Sequence, residues 1–394
     1  MPGHDLPFSS AEYQRRLDLV RTDMSKRGID VLFLEDPSNM AWTTGYDGWS
    51  FYVHQGVVVF LDEEPIWWGR RQDANGARRT VWMDDARVAS YADHFIQSSE
   101  RHPMQDLARL LELRGCANKK IGVELENYYF SAKAFLTLQS EMPNAEFIDA
   151  TSMVNWLRAV KSDEELVFIR KAARISEKIM DGVLERVVPG MRKADLVAEI
   201  YADAIRGLDD AWGDYPAIVP LLPSGADASA PHLTWDGRFM QEGEATFFEL
   251  SGCFRRYHAP LCRTVFLGKP EQYLLDAEKA LVEGLEAGLD TARAGNTAGD
   301  IARALAKPLE AAGIERGARA GYPIGISYPP DWGERTISIR EEDNTVLKPG
   351  MTFHFMPGLW MDGWGLEITE SILIKENGPA ECLCNRPRRL FVKS

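Results

Sequence analysis

The stretch that decides the fold spans residues 244–266 and reads EATFFELSGCFRRYHAPLCRTVF. Its alternating pattern predicts two β-strands, which we expect to be joined by a tight turn at Gly252. Side chains two positions apart share one face of a strand, so Glu249, His258, Pro260 and Cys262 are predicted to face a common space. A carboxylate, an imidazole and a thiol in one place indicate a reaction site. The alternative is an ordinary hairpin with a single ion pair.

Composition limits the class of protein. A chain of 394 residues with 45% hydrophobic content predicts about two domains with true cores. It contains no apolar run near the ~20 residues of a membrane helix, and MPGHDLPFSS lacks the pattern of a secretion signal. Five cysteines without framework spacing predict reduced thiols and a cytoplasmic location. The net charge of −14 argues against nucleic acid as a partner.

Capping signals predict how the chain is divided. Ser9 begins a predicted helix that Gly28 ends, and the strands and helices that follow fit a βαβ unit up to about residue 155. The intervening segment 38–52 is rich in turn residues, and we expect its end to be exposed to a ligand. Ser162 and Glu165 form a capping box that opens a long helix. The expected domain boundary lies between these two regions.

Several motifs, in this order, carry a family resemblance: GIDVLFLEDPSNMAWTTGY at 28–46, LRAVKSDEELVFIRKAARIS at 157–176, the stretch 232–268, GYPIGI at 321–326, LKPGMTFHFMPG at 347–358 and GLEITESILIKENG at 365–378. Together they resemble the creatinase/aminopeptidase P family, the metallopeptidase-like proteins with the pita-bread fold. The resemblance covers nearly the whole chain. It implies an α+β fold, with a smaller α/β creatinase-type N-terminal domain at 1–157 and a pita-bread catalytic domain at 158–394.

The metal-dependent members of this family use two aspartates, a histidine and two glutamates as ligands. By the resemblance, these positions fall on Glu249, Pro260, Tyr322, Met356 and Thr369. Proline offers no side-chain donor, and a thioether or neutral hydroxyls replace carboxylates poorly around a hard divalent ion. We therefore expect no catalytic metal and no other cofactor. A metal-dependent X-Pro aminopeptidase or prolidase is the rival interpretation.

Creatinase is a metal-free member of the family, and its catalytic histidine corresponds to His232 here. Its acidic pair is replaced by Cys262 and Thr369, which argues against creatine as the substrate. Strand alternation adds two groups to the expected site, because His354 and Glu367 share a face with the neighbouring ligand positions. The predicted pocket is anionic and holds several proton carriers, so it suits a planar, delocalised cation.

Among metal-free relatives, the altered motifs most resemble the branch that hydrolyses ectoine, a cyclic amidine, to N-acetyl-L-2,4-diaminobutyrate. The resemblance implies that Glu249 attacks the amidine carbon or activates a water molecule. His232 would move the proton, and Glu367 or His354 would hold the amidinium N–H groups. Another small cation as substrate, or a pita-bread domain that only binds partners, are the further alternatives.

The side chains expected to bind substrate are His258, Cys262, Tyr322, Trp360, Phe51 and Tyr52. Stacking on the cation is also expected of Trp332, Trp360 and Trp364. The family resemblance implies a homodimer in which the N-terminal domain of one subunit covers the pocket of the other, so the partner chain would supply Phe51 and Tyr52. The candidate donors for the substrate carboxylate are Arg70, Arg71, Arg255 and Arg335, which the sequence does not rank.

Overall fold

The computed structural model describes residues 6–394, which form two compact units spanning 6–157 and 158–394. Within the described part, no helix is both long and apolar enough to cross a bilayer. The helices of the N-terminal unit are α1 (Ser10–Arg27), α2 (Pro37–Thr44), α3 (Ala74–Thr80), α4 (Pro103–Leu113), α5 (Ala132–Glu141) and α6 (Met153–Arg158). Its strands are β1 (Val31–Leu34), β2 (Gly56–Phe60), β3 (Ile66–Arg70), β4 (Val88–Tyr91), β5 (Lys120–Val123) and β6 (Glu146–Asp149). They form one mixed sheet in the order β4-β3-β2-β1-β5-β6.

Helix α1 begins and ends where its capping residues predict. The Ser9 side chain accepts a hydrogen bond from the backbone N–H of Glu12, and Gly28 ends the helix with a left-handed φ of 67°. The expectation of turns throughout segment 38–52 is wrong, because its first part forms α2. Asp36 caps that helix and Pro37 occupies its first turn, a combination that favours a helix start over a turn.

The C-terminal unit contains the helices α7 (Asp163–Arg186), α8 (Lys193–Arg206), α9 (Gln272–Thr291) and α10 (Ala298–Ala311). Its strands are β7 (Ala245–Phe254), β8 (Tyr257–Leu267), β9 (Gly321–Pro323), β10 (Thr352–Phe355), β11 (Gly358–Met361), β12 (Trp364–Glu367), β13 (Glu370–Leu373), β14 (Glu381–Cys382) and β15 (Phe391–Lys393). The sheets have the orders β15-β8-β7, β14-β13-β10-β9 and β11-β12. One apolar core joins α9 and α10 to β10, β12 and β13, and a second joins α7 and α8 to the β7–β8 hairpin.

The turn of the β7–β8 hairpin does not lie at Gly252. It lies at Arg255 and Arg256, whose φ angles are 50° and 67°, and β7 continues straight through Gly252. The glycine has a packing role instead, because a Cβ atom at this position would lie 2.3 Å from the carbonyl oxygen of Ala172 in α7. Gly252 therefore allows helix α7 to approach the strand closely, which is a tertiary requirement that resembles a turn signal in the sequence.

The predicted common face of the hairpin is confirmed by its register. Glu249 lies directly opposite Cys262, and His258 lies opposite Cys253, four residues nearer the turn. Side chains of directly opposed residues project from the same face of a sheet. The predicted single strand over 365–374 is instead broken into β12 and β13, which belong to different sheets. The break lies at Ile368 and Thr369, where the chain leaves one sheet and enters the other.

Candidate active site

A buried imidazole lies at the centre of the candidate site. Strand β10 pairs with β9 so that His354 is opposite Tyr322. Nδ1 of His354 lies 3.0 Å from the hydroxyl of Tyr322, and Nε2 lies 2.8 Å from the hydroxyl of Thr369. A carboxylate oxygen of Glu249 lies 3.9 Å from Nδ1. The structure therefore brings together three of the five positions that the resemblance assigned to metal ligands, with His354 between them.

The imidazole of His354 is neutral. Burial, assisted by the positive charge of Arg319, lowers the pKa of His354 to about 3. A neutral imidazole donates from one nitrogen and accepts at the other, so one of its two hydroxyl contacts is donated and one accepted. The indole N–H of Trp332 donates to the Tyr322 hydroxyl at 2.8 Å, and the backbone N–H of Cys262 donates to the Thr369 hydroxyl at 2.8 Å. These two bonds fix both hydroxyls at the ring.

Two buried carboxyl groups lie near one another in the site. Burial raises the pKa of Glu249 to about 8. Burial also raises the pKa of Glu367 well above its ordinary value, and the nearby Glu249 carboxylate raises it further, while Cys262 and Arg316 oppose the shift. Since each negative charge disfavours the other, burial and mutual repulsion together favour protonation of the pair at neutral pH.

The site contains polar atoms without partners in the described part of the chain. Both carboxylate oxygens of Glu367 are buried and accept no N–H or O–H hydrogen bond, although the weakly donating thiol of Cys262 lies beside them, and the indole nitrogen of Trp360 is buried without a partner. Trp360 packs against the small apolar cluster of Ala228, Phe247 and Cys262. Buried polar groups are normally hydrogen-bonded, so unsatisfied acceptors and a donor beside one another indicate where a polar ligand binds.

Cys262 faces the two carboxyl groups but is a poor nucleophile. Its pKa lies well above its ordinary value because the thiol is buried and because the charges of Glu367 and Glu249 disfavour a thiolate. His258 is also buried, and burial followed by the charge of Arg256 lowers its pKa to about 3. The Nε2 atom of His258 accepts a hydrogen bond from the backbone N–H of Ala217 at 2.9 Å.

His258 is separated from the central imidazole by an indole ring. The ring centroids of His258 and Trp332 lie 6.2 Å apart, and those of Trp332 and His354 lie 6.4 Å apart. Trp332 lies on the segment between β9 and β10, where it is fully buried and its indole positions Tyr322, so its expected stacking on the cation stays a prediction. Trp364 is half-buried against Tyr273, with ring centroids 5.5 Å apart.

Other predicted site residues lie elsewhere. His232 is exposed on the loop before β7, and the structure does not bring it into the buried cluster, so its role in proton transfer stays a prediction. Phe51 and Tyr52 belong to the N-terminal unit, where Phe51 packs on Tyr129 at 5.9 Å between ring centroids. Tyr52 is 67% exposed, and its hydroxyl accepts a hydrogen bond from Arg70 at 3.0 Å. Their assignment to substrate binding also stays a prediction.

The donor set does not fit a divalent metal ion. Of the five ligand positions in the resemblance, Glu249 alone carries a carboxylate, and the hydroxyls of Tyr322 and Thr369 are engaged with His354. Met356 packs against the apolar cluster around Tyr322, and Pro260 has no donor atom in its side chain. Within residues 6–394, no group of three or more His, Cys, Asp or Glu is arranged to hold a metal. These donors are the wrong kind for a hard cation.

Arg263, whose hydrogen bonds hold the strands of the site together, was not identified from the sequence. Arg263 is fully buried, donates to the carbonyls of Cys262 and Thr369 at 2.8 and 2.6 Å, and donates to the Glu370 carboxylate at 2.5 Å. It therefore ties β8 to the break between β12 and β13. Its position directly after Cys262 was the available signal, because neighbouring strand residues face opposite sides.

Comparisons with known proteins agree with this architecture. Residues 168–376 match the Metallopeptidase family M24, and residues 16–160 match the Creatinase/Prolidase N-terminal domain. The chain is 56% identical over 395 residues to the protein named Ectoine hydrolase from Halomonas elongata, covering 98% of this chain and 99% of that protein. It is 41% identical to the uncharacterized hydrolase/peptidase y4tM from Sinorhizobium fredii, covering 98% of this chain and 99% of that protein.

Solved structures share the fold at low sequence identity. Dipeptidase PepE from Mycobacterium ulcerans has a TM-score of 0.81 at 23% identity, covering 98% of this chain and 99% of that chain. A recombinant prolidase from Thermococcus sibiricus has a TM-score of 0.83 at 18% identity, covering 98% of this chain and 100% of that chain. The expected α+β architecture is confirmed, and this protein belongs to the metallopeptidase family M24, with a pita-bread domain preceded by a creatinase-type N-terminal domain.

Proposed function

We propose that this protein is a metal-independent hydrolase that opens the cyclic amidine ring of ectoine and releases N-acetyl-L-2,4-diaminobutyrate. One observation carries the proposal. A pair of buried carboxyls, Glu249 and Glu367, lies beside a neutral imidazole in a chain that is 56% identical to the Ectoine hydrolase of Halomonas elongata. The hydrolase class agrees with the family, and the metal-free chemistry rests on the donor set described above.

The charges of the site match those of an amidinium. This group is planar, carries one delocalised positive charge and presents N–H donors in its plane. Glu367 offers two buried carboxylate oxygens that accept no N–H or O–H hydrogen bond, which suits a paired interaction with such donors. Bringing the cation beside Glu249 and Glu367 stabilises their ionised forms, so substrate binding itself lowers the pKa values that burial raises.

The proposed reaction begins with Glu249. An oxygen of its carboxylate forms a bond to the amidine carbon, and one ring C–N bond breaks as the departing nitrogen takes up a proton. Water then adds to the same carbon and expels the carboxylate, which leaves the acetamide of the product and regenerates Glu249. The amidinium is already activated by its positive charge, so the attack requires no Lewis acid. His232 is proposed to carry the proton to the departing nitrogen.

A second form of the mechanism uses Glu249 as a general base that activates water for direct attack. The two forms differ in whether substrate becomes bonded to the protein. Rapid quenching followed by intact-protein mass spectrometry distinguishes them, because only nucleophilic attack adds the mass of one substrate to the chain.

The proposal is tested by incubating the protein with ectoine and following the ring-opened product by NMR. We expect turnover by the wild type and a loss of at least about 1000-fold in kcat for Glu249→Gln. Glu242→Gln, which changes an exposed carboxylate just before β7, is the matched control and should retain full activity. Absence of turnover by the wild type would remove the substrate assignment, and full activity of Glu249→Gln would remove the mechanism.

We also propose that the active form is a homodimer in which Phe51 and Tyr52 of the partner subunit cover the substrate. The support for this arrangement is the family resemblance.

A further inference from the structure

We propose that Arg319 binds the carboxylate group of the substrate. This inference rests on the proposed function and extends it, because ectoine carries a carboxylate on the ring next to the amidinium. Arg319 lies just before β9, three residues ahead of Tyr322. Its guanidinium carbon stands 4.5 Å from the centroid of the Tyr322 ring, within the range of a cation–π contact. This contact holds the cation beside a residue whose hydroxyl meets His354 at 3.0 Å.

The guanidinium of Arg319 is available for a ligand. In residues 6–394 it forms neither an ion pair nor a hydrogen bond with another side chain, and it is exposed. It borders a cavity of about 310 Å³ whose lining includes the carboxylates of Glu310, Glu315, Glu341 and Glu342, yet none of them pairs with it. An arginine near several carboxylates normally forms an ion pair with one of them. The N–H donors of Arg319 therefore remain available to a ligand carboxylate.

Neighbouring arginines are already engaged. Arg316 donates to the backbone carbonyls of Gly358, Ala318, Arg319 and Met356. Arg340 donates to the Ser338 hydroxyl at 3.2 Å. Among the arginines expected from sequence, Arg70 is paired with Asp73 at 2.8 Å and Arg255 stacks on the exposed Trp212 at 4.9 Å.

The charge of Arg319 acts on the buried site. It contributes to lowering the pKa of His354, and it opposes the effect of burial on the pKa of Tyr322. Arg319 thus places a positive charge on the Tyr322 side of the site, and Glu249 and Glu367 become its negative groups once an amidinium is bound. A ring that carries an amidinium and a carboxylate fits such a gradient in one orientation only, so Arg319 positions the amidine carbon at Glu249.

The test compares ectoine with 2-methyl-1,4,5,6-tetrahydropyrimidine, which has the same amidinium ring without the carboxylate. For Arg319→Gln we expect KM for ectoine to rise about 30-fold with kcat changed less than about threefold. Turnover of the carboxylate-free ring should change less than about threefold, so the preference for ectoine is lost. Arg319→Lys keeps the charge without the planar fork and should restore part of the preference.

Two further variants act as controls. Arg340→Gln alters an arginine on the same cavity and should behave as the wild type. Arg335→Gln tests the other position expected from sequence. Calorimetric binding of ectoine to Glu249→Gln, with and without Arg319→Gln, gives a second readout that needs no turnover, and thermal unfolding verifies that each variant folds.

The outcomes separate the two proposals. If the wild type converts ectoine and Arg319→Gln keeps the wild-type preference, or if only Arg335→Gln loses it, the assignment of Arg319 is wrong and the proposed function stands. If the wild type neither binds nor converts ectoine, the proposed function fails and this assignment fails with it.

Discussion

Glu249, Glu367 and His354 are all buried, and burial favours the neutral form of each. A resting site that is largely uncharged has a simple physical consequence. It becomes charged when a cation enters, so ionisation of the carboxyls is coupled to substrate binding. Sequence alternation predicted Glu367 and His354, since both project from strands with a period of two. It could not predict Arg319, whose position depends on a loop and on a ring contact.

This coupling predicts a particular pH dependence. Below its pKa of about 8, Glu249 is protonated in the free protein and cannot attack. We therefore expect kcat/KM for ectoine, which reports the free protein, to rise with pH and to level off above about pH 8. The rise in kcat should occur at lower pH, because the bound cation stabilises the carboxylate. A kcat/KM that is flat or falling between pH 5 and 9 would contradict this description of the site.

Glu367 predicts a change in stability with pH. A buried carboxyl whose folded pKa is raised contributes its full stability below the unfolded pKa, and this contribution is lost as pH rises through the folded pKa. Glu367→Gln removes that loss. We expect its free energy of unfolding to match the wild type near pH 4, below the unfolded pKa, and to exceed it by about 1–3 kcal/mol near pH 9, measured by urea denaturation.

The same variant should lose ectoine turnover, because stability and function conflict at such a site. Glu242→Gln is again the matched control, and we expect its ectoine turnover and its free energy of unfolding to equal those of the wild type. An equal stability difference at pH 4 and pH 9 would show that the Glu367 carboxyl does not titrate as described.

At the scale of elements, the site depends on the β7–β8 hairpin and on the break between β12 and β13. Helix boundaries were predictable because caps are local signals, as Ser9 and Ser162 show. The hairpin turn was not, because Gly252 serves a contact with a helix far away in the sequence. The break at Thr369 was also hidden, since both flanking segments read as strand, although this break lets the Thr369 hydroxyl reach His354.

Gly252→Ala tests the close approach of helix α7 to strand β7. The added Cβ would lie 2.3 Å from the carbonyl oxygen of Ala172 and 2.6 Å from the amide nitrogen of Ser176, so the helix must move away. We expect the free energy of unfolding of this unit to fall by about 2–4 kcal/mol. Gly237→Ala, where the new atom meets nothing within 4 Å, is the control. Unchanged stability of Gly252→Ala would refute the packing role.

At the scale of the whole molecule, the chain keeps the architecture of a metallopeptidase family while its ligand positions carry other chemistry. Family membership and domain types were predictable because the motifs occur in the expected order along the sequence. The proposed dimer does not follow from the fold of one chain, because it requires a second copy of the chain.

The dimer predicts complementation between inactive chains. Light scattering should give twice the 44.3 kDa mass of the chain. Glu249→Gln and the double variant Phe51→Ala/Tyr52→Ala should each be inactive alone. After equal mixing with subunit exchange, half of the dimers contain one intact site, so activity should recover to about a quarter of the wild-type value. Exchange without any recovery would contradict the shared site.

The most direct measurement for the central claim is ectoine turnover by protein purified in chelator, with its metal content determined on the same sample by mass spectrometry. The donor set around Glu249 predicts full activity at far less than one metal ion per chain, and no gain when manganese, cobalt or zinc is added. Activity that disappears with the metal and returns when the metal is restored would contradict the claim that carboxylate and imidazole groups alone perform the reaction.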